Sequence, residues 1–216
     1  SLVALIGLPS FVSAGTSNTP DVDFFQVDGI VYSLAHDAAT NTLYVGGNFT
    51  KVFKYSGSAS LISKSAGVRN SASLKVNGSV KKIISDGAGG YYLAGEFTKV
   101  GSDSITNLAH INANNTLDTS FTPNPDGVVY DILLDGANLY VAGYFSNISG
   151  VAQGQLALIN ASTGAADLTF NPVFSNAVTQ VEKSGANLYI VGNFTTIGGA
   201  AFVGIAKLAA ATGVPD

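Results

Sequence analysis

Short runs in which apolar and polar residues alternate recur along the whole chain, and clusters of Gly, Asn, Asp and Ser separate them. A period of two is the mark of a half-buried β-strand, because successive side chains point to opposite faces. The stretch from Gly127 onward shows the unit most clearly. Gly127-Val-Val-Tyr-Asp-Ile-Leu-Leu134 reads as a first strand, and Asp135-Gly-Ala-Asn138 as a hairpin turn. Leu139–Phe145 follows as a second strand, Gln155–Asn160 as a third, and Asp167–Phe170, after the turn Ala161-Ser-Thr-Gly164, as a short fourth. No window carries the 3.6-residue recurrence of an amphipathic helix. The pattern predicts an all-β chain.

That unit repeats. Leu43-Tyr-Val-Gly-Gly-Asn-Phe-Thr50 returns as Tyr91-Tyr-Leu-Ala-Gly-Glu-Phe-Thr98, as Leu139-Tyr-Val-Ala-Gly-Tyr-Phe-Ser146 and as Leu188-Tyr-Ile-Val-Gly-Asn-Phe-Thr195, a step of 48, 48 and 49 residues. Four antiparallel strands in a unit of this length make one β-propeller blade, so the expected fold is a propeller of about four blades. A glycine recurs mid-strand at Gly47, Gly95, Gly143 and Gly192. Glycine weakens a strand unless another backbone comes close, and tight packing between neighbouring blades is the expected reason.

The ends of the repeat region bear on ring closure. The last unit supplies Val178–Glu182, Leu188–Thr195 and Phe202–Leu208, while Asp21–Phe25 resembles the strand it lacks. An N-terminal strand that completes the last blade would close a four-bladed ring and remove its edges. The alternative is an incomplete ring, with Leu2–Ile6 as an additional strand and several chains completing the assembly. The expected division is therefore a propeller over 21–216 and an apolar extension over 1–20, the latter a candidate contact for a homodimer or homotrimer.

The motifs Tyr44-Val-Gly-Gly-Asn-Phe-Thr50, Asn107-Leu-Ala-His-Ile111, Leu117-Asp-Thr-Ser-Phe-Thr-Pro123 and Gly127-Val-Val-Tyr130 resemble the delta-60-type repeats of bacterial exported and surface proteins. The resemblance covers about residues 21–216 and implies a β-propeller module at the cell surface, outside the cell or in the periplasm. Its motifs are specific to the blade and carry no chemistry. The first repeat departs most, with Phe53-Lys-Tyr55 where the second has Gly101-Ser-Asp103.

Composition narrows the picture. Charged residues make up only 11% of the chain, against about a quarter in an average protein, and hydrophobic residues 46%. The surface is thus carried by Ser, Thr and Asn. With no Cys there is no disulfide and no thiolate site in this chain. A net charge of −4 argues against nucleic acid as a partner. No stretch reaches the roughly 18 apolar residues of a membrane span, so no membrane insertion is expected. Residues 1–15 share an apolar run and the small-x-small site Val12-Ser13-Ala14 with export signals but lack a charged leader. We read them as an ordered part of the mature chain that buries Leu2, Val3, Leu5, Ile6 and Phe11.

Candidate chemistry is sparse. His36 and His110 stand in no metal-binding spacing, and there is neither a nucleophile elbow nor a phosphate loop. Asp21-x-Asp23 lacks the further oxygen ligands of a calcium loop. The expectation is no enzyme, no cofactor and no metal. Two sets of residues break the repeat average. Eight of the ten basic residues fall between 51 and 99, where Asp86 and Glu96 are the only acids. Within that region Phe53, Lys54, Tyr55, Lys64 and Arg69 form a candidate ligand-binding set, with one cation between two aromatic rings. The second set is Ser33, Lys82, Asp131 and Gln180, which share one position on the innermost strand and are expected to line the channel, with Lys82 beside Asp131 of the next blade. The function expected is a non-catalytic binding or adhesion module whose loops contact a cell-surface glycan or protein. The alternatives are an assembly domain of an oligomeric surface fibre and, least supported, a hydrolase or lyase at the channel mouth.

Overall fold

A computed structural model describes residues 29–37, 42–49, 59–63 and 74–216. Every regular element among them is a strand, and they form four antiparallel three-stranded sheets in chain order. The first sheet joins β1 (Ile30–Asp37), β2 (Thr42–Asn48) and β3 (Ala59–Ser63); the second joins β4 (Val76–Ser85), β5 (Tyr91–Val100) and β6 (Leu108–Ile111). In the third, β7 (Val128–Asp135) pairs with β8 (Asn138–Tyr144), a small hairpin of β9 (Asn147–Ile148) and β10 (Val151–Ala152) intervenes, and β11 (Leu156–Asn160) completes the sheet. The fourth repeats this plan with β12 (Val178–Ser184), β13 (Asn187–Gly192), the hairpin β14 (Thr196–Ile197) and β15 (Ala200–Ala201), and β16 (Ile205–Ala209). Asp135 pairs with Asn138 across a two-residue turn whose Gly136 has φ 60°, the primed geometry that matches strand twist. No helix among the described residues is long and apolar enough to cross a membrane.

The expected fourth strand is reduced to one bridge per unit: Ile111 to Leu117, Ile159 to Ala166 and Leu208 to Pro215. The cause is local. The Asp118 carboxylate accepts hydrogen bonds from the Ser120 amide and hydroxyl, and Asp167 does the same for Thr169. These Asx turns pull the backbone out of the ladder after a single pair. The proposed completing strand at Asp21–Phe25 and the extension over 1–20 lie outside the described residues.

All four sheets carry a β-bulge on their first strand, between Val31 and Ser33, Val80 and Lys82, Val129 and Asp131, and Val178 and Gln180. The bulge explains the repeated glycine and corrects the expectation that it faces a neighbouring blade. A Cβ on Gly47 would lie 2.0 Å from the Ile30 carbonyl oxygen, on Gly95 2.0 Å from that of Ser79, on Gly143 2.2 Å from that of Val128, and on Gly192 2.2 Å from that of Ala177. The crowding backbone therefore belongs to the adjacent strand of the same sheet, folded over by the extra residue.

Sheets stack by one rule. Each presents a tyrosine face and a valine–isoleucine face, and the tyrosine face of one packs on the valine–isoleucine face of the next. Tyr44 meets Val80, Ile83, Leu93 and Ile111; Tyr92, Ala94 and Leu108 meet Val129, Ile132, Val141 and Ile159; Tyr140, Ala142, Leu156 and Leu158 meet Val178, Val181, Ile190 and Leu208. Burial of these side chains is the main force joining the sheets. The fourth sheet's tyrosine face is uncovered: Tyr189 is 45% exposed, where Tyr92 is 4% and Tyr140 2%, and Ile205 is 67% exposed.

Candidate functional site

A bulge frees one backbone N–H from its ladder, and the first strands answer this with side chains that reach between sheets. Ser33 Oγ accepts a hydrogen bond from the Ile83 amide at 3.1 Å and donates to the Ile83 carbonyl at 3.4 Å. Two joints further on, Asp131 Oδ2 accepts from the Val181 amide at 3.0 Å, while Oδ1 accepts from the Ile132 amide at 3.0 Å. Lys82 has no acceptor to offer Ile132. Its ammonium instead lies 2.9 Å from Asp131 Oδ1, so the repeat alignment that set Lys82 beside Asp131 corresponds to a direct ion pair. Asp131 is buried and so holds three donors in place, which a buried carboxylate requires. Gln180, the fourth member, is exposed on the uncovered face of the fourth sheet. Above this row, the bulged residue Lys81 places its ammonium 4.5 Å from the Tyr32 ring centre of the preceding sheet.

A second set of latches sits on the middle strands. Tyr92 Oη donates to the Ala161 carbonyl at 2.8 Å and Tyr140 Oη to the Ala210 carbonyl at 3.0 Å, each bond joining one sheet to the next. Burial, reinforced by the nearby Asp86 and Asp118 carboxylates, pushes the Tyr92 hydroxyl up to about 12. Burial also raises Tyr140, with Asp135 adding to it.

His110 lies half-buried between two carboxylates, with Nδ1 2.9 Å from Asp118 Oδ2 and Nε2 3.1 Å from Asp86 Oδ2. Its ring centre is 4.5 Å from that of Tyr92. Both ring nitrogens donate only in the imidazolium. Asp86 meanwhile accepts from the Ala88 and Gly90 amides at 2.7 and 2.8 Å and so shapes the hairpin turn. Burial works to raise Asp118, but hydrogen bonds from Ser120 and His110 outweigh it and hold the carboxyl below its usual range. The clamp ties the third strand, the hairpin and the Asp118 turn together. The fourth sheet keeps a counterpart in the ion pair of Lys207 with Asp216.

The proposed ligand-binding residues Phe53, Lys54, Tyr55, Lys64 and Arg69 lie outside the described residues. Among the described residues no group of three or more His, Asp or Glu side chains has metal-binding geometry. Sequence reasoning missed the tyrosine latches and the His110 clamp, although Tyr44, Tyr92, Tyr140 and Tyr189 stood in register in the repeat motif. Large apolar side chains stand exposed outside the joints, among them Tyr144, Leu168, Val173 and Val203.

Stacked sheets with a common bulge and cross-sheet latches define a repeat protein of the β-propeller class. Two of its repeats, residues 89–121 and 138–170, match the family described as Domain of unknown function (DUF5122) beta-propeller. No curated protein matches the chain.

Proposed function

We propose that the four sheets are consecutive propeller blades of a non-catalytic binding module in an exported bacterial surface protein, and that loops at the sheet ends contact a cell-surface glycan or protein. The observation that carries this reading is how the polar side chains inside the fold are used. Asp131, His110, Asp118 and Tyr92 are each committed to hydrogen bonds that hold sheets or turns, as a rigid display scaffold requires, and the connecting segments carry exposed Leu168, Val173 and Val203. The basic and aromatic segment Phe53-Lys54-Tyr55 is the leading contact, suited by charge and ring stacking to an anionic sugar or an acidic protein patch. A glycan array or whole-cell binding assay tests it: binding should drop on Phe53→Ala and on Tyr55→Ala. Undiminished binding by both variants would remove the proposed site.

One observation favours the alternative of an assembly domain. The exposed tyrosine face of the fourth sheet carries the tyrosine and the third-strand aliphatic residue of the faces buried in the second and third sheets, with Glu182, Lys207 and Val191 as its departures.

A further inference from the structure

We infer that His110 is a proton-controlled lock on the glycine-rich loop of the second sheet, and that its release loosens the joint between the first and second sheets. The inference goes beyond the binding reading and does not depend on which ligand the loops take. The loop is unlike its counterparts. The third and fourth sheets turn between their first two strands in two residues, from Asp135 to Asn138 and from Ser184 to Asn187. The second sheet uses five, between Ser85 and Tyr91, and Gly87, Gly89 and Gly90 are three of them. So much glycine leaves the loop little stiffness of its own. Its shape comes from Asp86, whose Oδ1 accepts from the Ala88 and Gly90 amides while Oδ2 faces His110 Nε2 at 3.1 Å.

A neighbouring sheet depends on that shape. Tyr92 and Tyr140 latch onto the residue that follows a third strand, but Tyr44 Oη donates at 3.1 Å to the carbonyl of Gly89, inside the loop. The loop therefore carries the tyrosine latch of the first joint. The ring that holds the loop stacks on Tyr92, the latch of the second.

The repeat shows what histidine adds. The matching position is Leu158 in the third sheet and Lys207 in the fourth, each opposite a tyrosine as His110 is opposite Tyr92. Leucine offers no donor to a carboxylate, and Lys207 holds Asp216 with a charge that persists. Sheets of the same plan form with all three, and histidine is the residue type whose charge can be switched near neutral pH.

Three titratable groups face the ring: Asp86 from the loop, Asp118 from the turn after β6, and Tyr92 from β5, which ties in the third sheet through the Ala161 carbonyl. The Tyr92 hydroxyl, pushed up to about 12, stays neutral while an imidazole titrates. With two protons, the ring donates to both carboxylates. With one, it turns a lone pair toward one of them, an acceptor against an acceptor. Asp118 is tied to the ring's own strand, since its amide donates to the His110 carbonyl at 2.9 Å. Asp86 stands on the glycine loop, so the break falls there. The lock is complete while the ring carries both protons and is lost as pH rises through its titration. The opening is local, and the sheets stay folded.

An NMR titration of the full chain from mildly acidic to mildly alkaline pH tests this. The His110 ring, the Ala88 and Gly90 amides and the Tyr44 ring should change with one midpoint. Protection of the Gly90 amide, corrected for the pH dependence of intrinsic exchange, should fall roughly tenfold or more above it. His110→Leu, which copies the third sheet, should remove the transition and leave Gly90 weakly protected at every pH. A ring that titrates while Gly90 protection stays constant would overturn the proposal, and the unmodified chain suffices to show it. A loop transition that survives in His110→Leu would overturn it as well. Loop amides that open while Tyr44 stays unchanged would overturn the link to the first joint.

Discussion

Position in the stack decides what a given residue type does. The tyrosine of the repeat motif is a buried inter-sheet donor at Tyr92 and Tyr140 but stands half-exposed at Tyr189, with the same neighbours in sequence. Tyr140→Phe leaves the Ala210 carbonyl without its donor and should cost about 0.5–1.5 kcal/mol in urea unfolding, whereas Tyr189→Phe should be near neutral. Asp131→Ala strips acceptors from the Ile132 and Val181 amides and leaves Lys82 unpaired; a loss of about 1–3 kcal/mol or more is expected. The titrating groups set the pH window. Asp118 and Asp167 have lowered folded-state values, so their contribution is complete above the ordinary value of 3.8 and is lost as pH falls through the lowered ones. Tyr92 and Tyr140 are raised above 10.0, so their contribution holds below that value and is lost as pH climbs through the raised values, about 12 for Tyr92. Melting temperatures measured from strong acid to strong alkali should therefore form a broad plateau with a fall at each end. A plateau that ran unbroken into strong acid would contradict the role given to the carboxylates.

At the scale of the element, the bulge and its glycine act as one device. Gly143→Ala drives a Cβ into the Val128 carbonyl and should destabilise by about 1–3 kcal/mol, while Gly136→Ala, at φ 60° with open space around it, should cost about 1–2 kcal/mol through backbone strain alone. Strand order, hairpin turns and the repeat were legible from period-two alternation. The bulge was not read, although a signal for it exists. The matching apolar positions on each first strand fall at Val31 and Leu34, Val80 and Ile83, Val129 and Ile132, and Val178 and Val181, fully buried in the last three, a spacing of three that a regular strand cannot place on one face. An extra residue in each pair is the physical answer. The fourth strand was overcalled because Leu117-Asp118 and Leu168-Thr169 alternate like a strand, while the Asp-x-Ser and Asp-x-Thr spacing that turns the chain is a local hydrogen-bond effect that alternation cannot show. Lys82 beside Asp131 was legible from register; the amides that share Asp131 were not, because they depend on the bulge.

For the whole molecule, the account is that of a succession of repeated sheets, each of which buries its faces against its neighbours. Stability then passes from sheet to sheet through joints of known composition. Native-state hydrogen exchange on a Val181→Ala chain examines this directly. Val181 belongs to the fourth sheet, but its side chain packs under Tyr140 and Leu158 of the third. If joints carry the stability, amide protection should fall in β8 and β11 as well as in β12, β13 and β16. Protection lost in the fourth sheet alone, with the third unchanged, would show that each sheet stands by itself and contradict the stack.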